Sequence, residues 1–173
     1  MQLLGIVGWK NSGKTTLVAR LIPALRERGL SVSTIKHVHH SIDLDQPGKD
    51  TFAHREAGAV DVALFSGARW AVMHERRERT SSPPDLDDLM RHMTEVDLVL
   101  VEGFKYLSMP RIEIRGDEAA SPVGESGVRD VLAVVTDGPA DAELPTFKRD
   151  EIERLADFIK QTVAASIPTA AQA

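Results

Sequence analysis

Eight residues near the N-terminus, Gly8-Trp9-Lys10-Asn11-Ser12-Gly13-Lys14-Thr15, have the types and spacing needed to hold a chain of phosphates. They satisfy the pattern G-x-x-x-x-G-K-[ST]. Two glycines let a turn curl until successive amide N–H groups converge on phosphate oxygens. A helix opening directly behind the turn adds its unpaired N–H groups and the positive end of its dipole. An ammonium at Lys14 suits β/γ-phosphates, and the Thr15 hydroxyl suits Mg²⁺. Gly8, Asn11, Ser12, Gly13, Lys14 and Thr15 are therefore the first candidate nucleotide-binding residues.

Such a site also needs an acid at the exit end of a nearby strand, to hold Mg²⁺ or orient an attacking water. The run Val96-Asp97-Leu98-Val99-Leu100-Val101-Glu102-Gly103 offers two. Asp97 and Glu102 stand about 15 Å apart by strand rise, so a straight strand cannot present both to one ion. Glu102, at the exit, is expected to be the metal and catalytic acid. Asp97, at the entry, is expected to serve a turn or cap.

Other candidates lie on loops expected at the same rim. Lys36-His37-Val38-His39-His40-Ser41-Ile42-Asp43-Leu44-Asp45 mixes bases, histidines and acids. It reads as the phosphate or Mg²⁺ vicinity through Lys36, His37 and Asp43, as a transition-metal site, or as a surface loop. Its spacing matches no standard zinc signature. Pro47-Gly48-Lys49-Asp50-Thr51, followed by His54-Arg55, reads either as a helix start with a solvated face or as a clamp over an anionic ligand. Arg69 offers a guanidinium fork for phosphate or is an ordinary surface arginine. Asp137 follows a strand where a carboxylate would accept from guanine N1–H and the 2-amino group, and would meet the adenine N1 acceptor unfavourably. The Asn-Lys-x-Asp pattern of common GTPases is missing, so Asp137 favours GTP only weakly.

The elements that must position these groups are legible. With 173 residues, 42% apolar and 27% charged, the chain fits one domain with a substantial core, expected over residues 1–167, with 168–173 as a frayed tail. A net charge of −5 gives no global case for nucleic acid or membrane, and no apolar run reaches spanning length. There is no cysteine, hence no disulfide, thiolate metal site or cysteine nucleophile. Residues 3–7 enter a strand directly, without a signal-peptide pattern, so a soluble cytoplasmic protein is expected.

Residues 3–7, 96–103 and 131–135 read as covered strands, because they are nearly all apolar instead of alternating, and residues 30–35 as a second strand whose distance from the first matches a parallel, right-handed βαβ crossover. Helices are expected at 13–28, 51–58, 84–93 and 149–164 from their apolar spacing. Pro23 should kink or end the first of them. Residues 60–65 and 71–74 suggest a hairpin, residues 110–115 an edge strand or one face of a partly exposed sheet from their apolar/charged alternation, and Phe147 a short strand. The sum is an α/β three-layer sandwich with a mostly parallel sheet and a β-hairpin or edge-strand extension.

The block GWKNSGKTT at 8–16, Ile35-Lys36-His37-Val38-His39-His40, Asp43-Leu44-Asp45-Gln46-Pro47-Gly48-Lys49-Asp50-Thr51, His54-Arg55-Glu56-Ala57-Gly58-Ala59 and Val101-Glu102-Gly103-Phe104-Lys105 closely resemble the MobB family. The resemblance covers most of the N-terminal two thirds, and the central blocks are far more specific than the phosphate-loop pattern alone. It implies a P-loop nucleoside triphosphate-binding α/β domain, homodimers through an extended β region, and GTP with Mg²⁺ at a weakly hydrolysing site. It also implies an accessory role beside the guanylyltransferase that joins GMP to molybdopterin, with molybdopterin or its guanine dinucleotide as a further contact. Gly13, Lys14, Thr15 and Thr16 carry over as phosphate and Mg²⁺ residues, and Glu102 as the acid near the metal. Phe52-Ala53 departs from the aromatic-arginine pair expected before His54-Arg55 and removes a positive charge there.

Two other functions share the phosphate-loop pattern. A small-molecule kinase would use Asp43 or Glu102 as base, and a GTP-dependent metal carrier would use His37, His39 and His40. At most a slow Mg²⁺-dependent GTPase is expected, since neither an arginine finger nor a water-orienting glutamine is evident.

Overall fold

The computed structural model describes residues 1–38, 43–75, 86–104, 107–116 and 130–166. The chain forms two compact units, Met1–Val38 with Glu95–Ala173, and His39–Thr94. The expected tail at 168–173 lies outside the described residues, as do His39 and His40.

The first unit comprises β1 (Gln2–Gly8), α1 (Lys14–Glu27), β2 (Val32–Lys36), then β5 (Leu98–Glu102), β6 (Arg111–Ile114), β7 (Val131–Val135), β8 (Thr146–Phe147) and α4 (Ile152–Ser166). The second holds α2 (Asp50–Glu56), a hairpin of β3 (Asp61–Phe65) and β4 (Trp70–His74), and α3 (Leu86–Arg91).

Six strands form one sheet in the order β2-β5-β1-β6-β7-β8. Every pairing in it is parallel. β5 is inserted between β1 and β2, so the first crossover does not join neighbouring strands. This insertion brings Glu102 beside both other strands: its Cα partners are Ile6 and Lys36. All exits fall on one rim, where an α/β sheet takes its ligands.

On one face Leu4, Ile6, Leu98, Leu100, Ile112 and Ile114 pack against Leu17, Leu21 and Leu25 of α1 and Leu155 and Ile159 of α4. Leu21 and Leu25 are fully buried; truncating either to alanine should cost about 2–5 kcal/mol. Arg28 fastens the helices together, donating to Glu153 at 2.8 Å and Asp157 at 2.7 Å. Among the described residues both helices of this unit lie on that one face.

The parallel α/β fold follows the apolar runs, but one local expectation fails. Pro23 does not end α1, which continues to Glu27. Pro23 and Ala19 are both exposed, so the carbonyl that loses its partner faces water. The segment expected as an edge strand is interior, because β6 pairs with β1 on one side and β7 on the other. Its charged residues face away from α1 and α4 and are buried with partners. Arg111 donates to the Met109 carbonyl at 3.3 Å and to that of Leu107. Glu113 accepts from Arg115 at 2.9 Å. Alternation here marks buried ion and carbonyl pairing instead of a wet face, so this main chain offers no seam to a second copy.

No helix among the described residues is long and apolar enough to cross a membrane.

Candidate functional site

The turn after β1 is built by close approach. A Cβ at Gly8 would stand 2.5 Å from Ser12 Oγ and 2.7 Å from the Ile114 carbonyl, so only glycine lets the turn fold back on its strand. Asn11 (φ 62°) and Gly13 (φ 91°) both take the left-handed conformation, which curls the chain before α1 begins. Lys14 donates to the Gly8 carbonyl at 3.1 Å and the Trp9 carbonyl at 2.6 Å, arching its ammonium over the turn. Ser12 is 9% exposed, and its Oγ is buried without a hydrogen-bond partner. A buried orphan hydroxyl beside an ammonium and a helix start is a donor set suited to an oxyanion such as phosphate.

β5 delivers its acid to the head of α1. Glu102 follows Leu98 and Leu100 on the face that carries α1, so its side chain emerges where that helix starts. Thr15 Oγ1 donates to Glu102 Oε1 at 3.0 Å. Lys36 Nζ lies 3.1 Å from the same Oε1 and 3.0 Å from Thr15 Oγ1. A hydroxyl and a carboxylate are oxygen ligands of the kind Mg²⁺ takes, and here an ammonium already serves as their cation. The structure thus gathers Thr15, Lys36 and Glu102. His37, next along, donates its N–H to the Glu102 carbonyl at 2.8 Å and tilts its ring against Phe104, 4.9 Å between centroids.

Asp97 sits at the opposite rim. Its Oδ2 accepts from the Ser31 amide at 2.7 Å and the Ser31 hydroxyl at 2.5 Å. Those bonds hold its carboxyl below the usual range, the hydroxyl contributing most. It is the turn residue expected.

Asp137 is brought to the nucleotide-side rim but is engaged by a residue that sequence reasoning missed. Arg149 presents Nε to Asp137 Oδ2 at 3.2 Å, and its amide donates to Oδ1 at 3.1 Å. The same guanidinium donates to the Ser12 carbonyl at 2.6 Å and the Arg115 carbonyl at 2.7 Å. The available signal was a base just past Phe147, the end of a sheet strand. The apolar spacing places that residue at the start of the last helix, which begins three residues later at Ile152. A cavity of about 270 Å³ opens beside it, bounded by Gly13, Thr16 and Arg20 on one side and Ile114 and Val135 on the other. Thr16 is thus beside the turn, facing a space with apolar walls and cationic edges.

In the second unit, the residues read as a possible clamp are tied to one another. Arg55 donates to Asp43 at 2.7 Å and Glu75 at 3.1 Å and lies over the Phe52 ring. Its bond holds the Asp43 carboxyl below the usual range. Thr51 Oγ1 donates to Asp45 at 2.8 Å, fastening the loop to α2. Arg55 therefore spends its charge on carboxylates. Asp43, expected near Mg²⁺, is one of them. Among the described residues no three histidine or acidic groups gather as metal ligands.

Comparison with known proteins agrees with the resemblance. The chain is 42% identical over 160 residues to a Haemophilus influenzae protein named molybdopterin-guanine dinucleotide biosynthesis adapter protein, covering 91% of this chain and 87% of that one. Its identity to the Escherichia coli protein of that name is 39%, over 91% and 90% of the two chains. Among solved structures, a crystal structure titled molybdopterin-guanine biosynthesis protein B (mobB) is similar at a TM-score of 0.74 and 36% identity, covering 94% of this chain and 99% of that one. The family profile of MobB, molybdopterin guanine dinucleotide synthesis protein B, matches residues 3–137. The match runs from β1 through β7 and takes in the phosphate-loop pattern, Lys36, Glu102 and Asp137: the chain belongs to the MobB family.

Proposed function

We propose that this protein is a GTP-binding accessory factor for molybdopterin guanine dinucleotide biosynthesis, acting beside the guanylyltransferase that makes the dinucleotide. The observation that carries the reading is the junction of the orphan Ser12 hydroxyl, the Lys14 ammonium and the Thr15–Glu102 hydrogen bond at one helix start. Gly8 to Thr16 hold the phosphates, and Thr15 with Glu102 holds Mg²⁺, with Lys36 and His37 lining the approach. When bound, Mg²⁺ neutralises phosphate charge and polarises the bond to the terminal phosphoryl group. Glu102 would orient the water for a slow hydrolysis. The kinase reading that uses Asp43 as base has no comparable support, since that carboxylate is held by Arg55; His39 and His40 of the metal-carrier reading lie outside the described residues.

A homodimer is part of the proposal. The β3–β4 hairpin is a two-stranded sheet exposing Phe65 (84%) and Trp70 (69%) as a cross-strand pair, with Leu64 and Val72 also exposed. Such an apolar ribbon, whose strands pair only with each other among the described residues, suits a second copy. Phe65→Glu should convert a dimer to monomer in sedimentation experiments; a wild-type monomer would contradict this part.

The function is tested by measuring guanine dinucleotide formation by the purified guanylyltransferase on molybdopterin. Addition of this protein with GTP–Mg²⁺ should raise the yield, and Lys14→Ala should not. Equal yields with wild-type, variant or no protein would contradict the accessory role.

A further inference from the structure

The phosphate-loop pattern accounts for residues 8 to 15, but not for what holds their peptide planes in position. Arg149 reaches the turn from β8, on the far side of the sheet order from Glu102. It is fixed from several directions. Its amide and Nε meet Asp137, its carbonyl accepts from Arg20 at 2.8 Å, and Nη2 donates to Arg115. Its remaining terminal nitrogen, Nη1, donates to the Ser12 carbonyl at 2.6 Å. The guanidinium lies directly against the next residue, for a Cβ at Gly13 would come 2.8 Å from Nη1.

The consequence follows from peptide geometry. In a planar trans peptide the C=O and the following N–H point in opposite directions. Drawing the Ser12 carbonyl outward to Arg149 turns the Gly13 N–H toward the inside of the turn. Gly13 is the residue least able to hold that plane by itself, because glycine takes many backbone conformations at similar cost. A guanidinium anchored to a carboxylate and a second carbonyl can hold it, since its forked donors are rigid.

We propose that Arg149 is a positioning residue for the phosphate turn: it fixes the Ser12–Gly13 peptide so that the Gly13 amide faces the phosphates, without itself touching them. The inference rests on the nucleotide reading above. It differs from a role in base choice, because a residue acting through the turn must affect any polyphosphate equally.

The test compares GTP with inorganic tripolyphosphate, both with Mg²⁺, by calorimetry on wild-type, Arg149→Met and Arg149→Lys. Arg149→Met should weaken both ligands by the same factor, roughly tenfold, the scale of one charge-assisted hydrogen bond to a backbone group. Arg149→Lys should fall between, because one ammonium can serve Ser12 without also spanning Asp137 and Arg115. In the ligand-free proteins, the Gly13 amide resonance should shift in Arg149→Met while amides of the β3–β4 hairpin stay in place. Loss confined to GTP, unchanged affinity for both ligands, or an unmoved Gly13 amide would each overturn the proposal. Should Arg149→Met not fold, the lysine variant carries the same comparison. Failure of wild-type protein to bind either ligand would remove the nucleotide reading, and the proposal with it. Wild-type binding with indifferent variants removes Arg149 alone.

Discussion

β5 carries a carboxylate at each end, and the two ends behave differently. Asp97 at the entry is closed on Ser31, whose amide and hydroxyl both donate to one oxygen. Glu102 at the exit shares one oxygen with a hydroxyl and an ammonium from two other elements, Thr15 and Lys36. Residue type cannot explain the contrast. A parallel sheet gathers its strand exits and helix starts on one rim, and leaves the other rim to helix ends and returning loops. An acid at the entry is used to stitch a turn. An acid at the exit meets the Thr15 hydroxyl and the Lys36 ammonium, on the rim that also carries the buried, unpartnered Ser12 hydroxyl.

That contrast is sharpened most by removing the ammonium over the turn. Lys14→Ala should weaken GTP by on the order of a hundredfold, because it strips a cation from a site built for a polyanion. Equilibrium dialysis with labelled GTP measures it, and an unchanged affinity would remove the exit rim's claim to phosphate. Glu102→Gln should leave metal-free GTP binding near wild-type, and reduce the gain from added Mg²⁺ by roughly tenfold, as expected for the loss of one ionised ligand. A magnesium titration at fixed GTP reads this directly. Lys36→Met removes the ammonium beside Thr15 and Glu102, so GTP should bind a few-fold more weakly in chelator while its affinity in saturating Mg²⁺ changes less. Equal losses in both conditions would mean that Lys36 does not act as an alternative cation.

The smallest effect belongs to the entry rim. Asp97→Asn should leave GTP affinity alone and lower the melting temperature at neutral pH. The folded protein holds the Asp97 carboxyl below its ordinary range, through bonds from the Ser31 hydroxyl and then its amide. Its contribution is therefore present above about pH 4 and lost as pH falls through the depressed folded value. The gap between wild-type and variant should close on acidification. A gap that widened in acid would show that the carboxylate is not the stabilising form.

The layout of the first unit was readable because covered parallel strands are continuous apolar runs, and 3–7, 98–101 and 131–135 are all of that kind. The position of Glu102 was readable for the same reason, since it ends such a run. Sheet order was not, because nothing local in residues 98–102 tells them to pair between β1 and β2. Arg111 and Glu113 misled because alternation normally marks a half-wet strand, whereas here carbonyls and Arg115 satisfy the charges inside. Pro23 does not end α1, and the Ala19 carbonyl that loses its partner there lies on the exposed side of the helix. Arg149 escaped notice because its partners, Ser12 and Arg115, lie 137 and 34 residues away in sequence. A contact of that kind has no sequence signature.

The central claim is that the exit rim of the parallel sheet holds a magnesium-bound purine triphosphate on the turn from Gly8 to Thr15. Calorimetric titration of the folded protein with GTP, with Mg²⁺ and then with chelator, tests it most directly. The account predicts one site per chain, tighter with Mg²⁺ and weakened on the order of a hundredfold by Lys14→Ala. Absence of binding by GTP and ATP alike, with magnesium present, would contradict it.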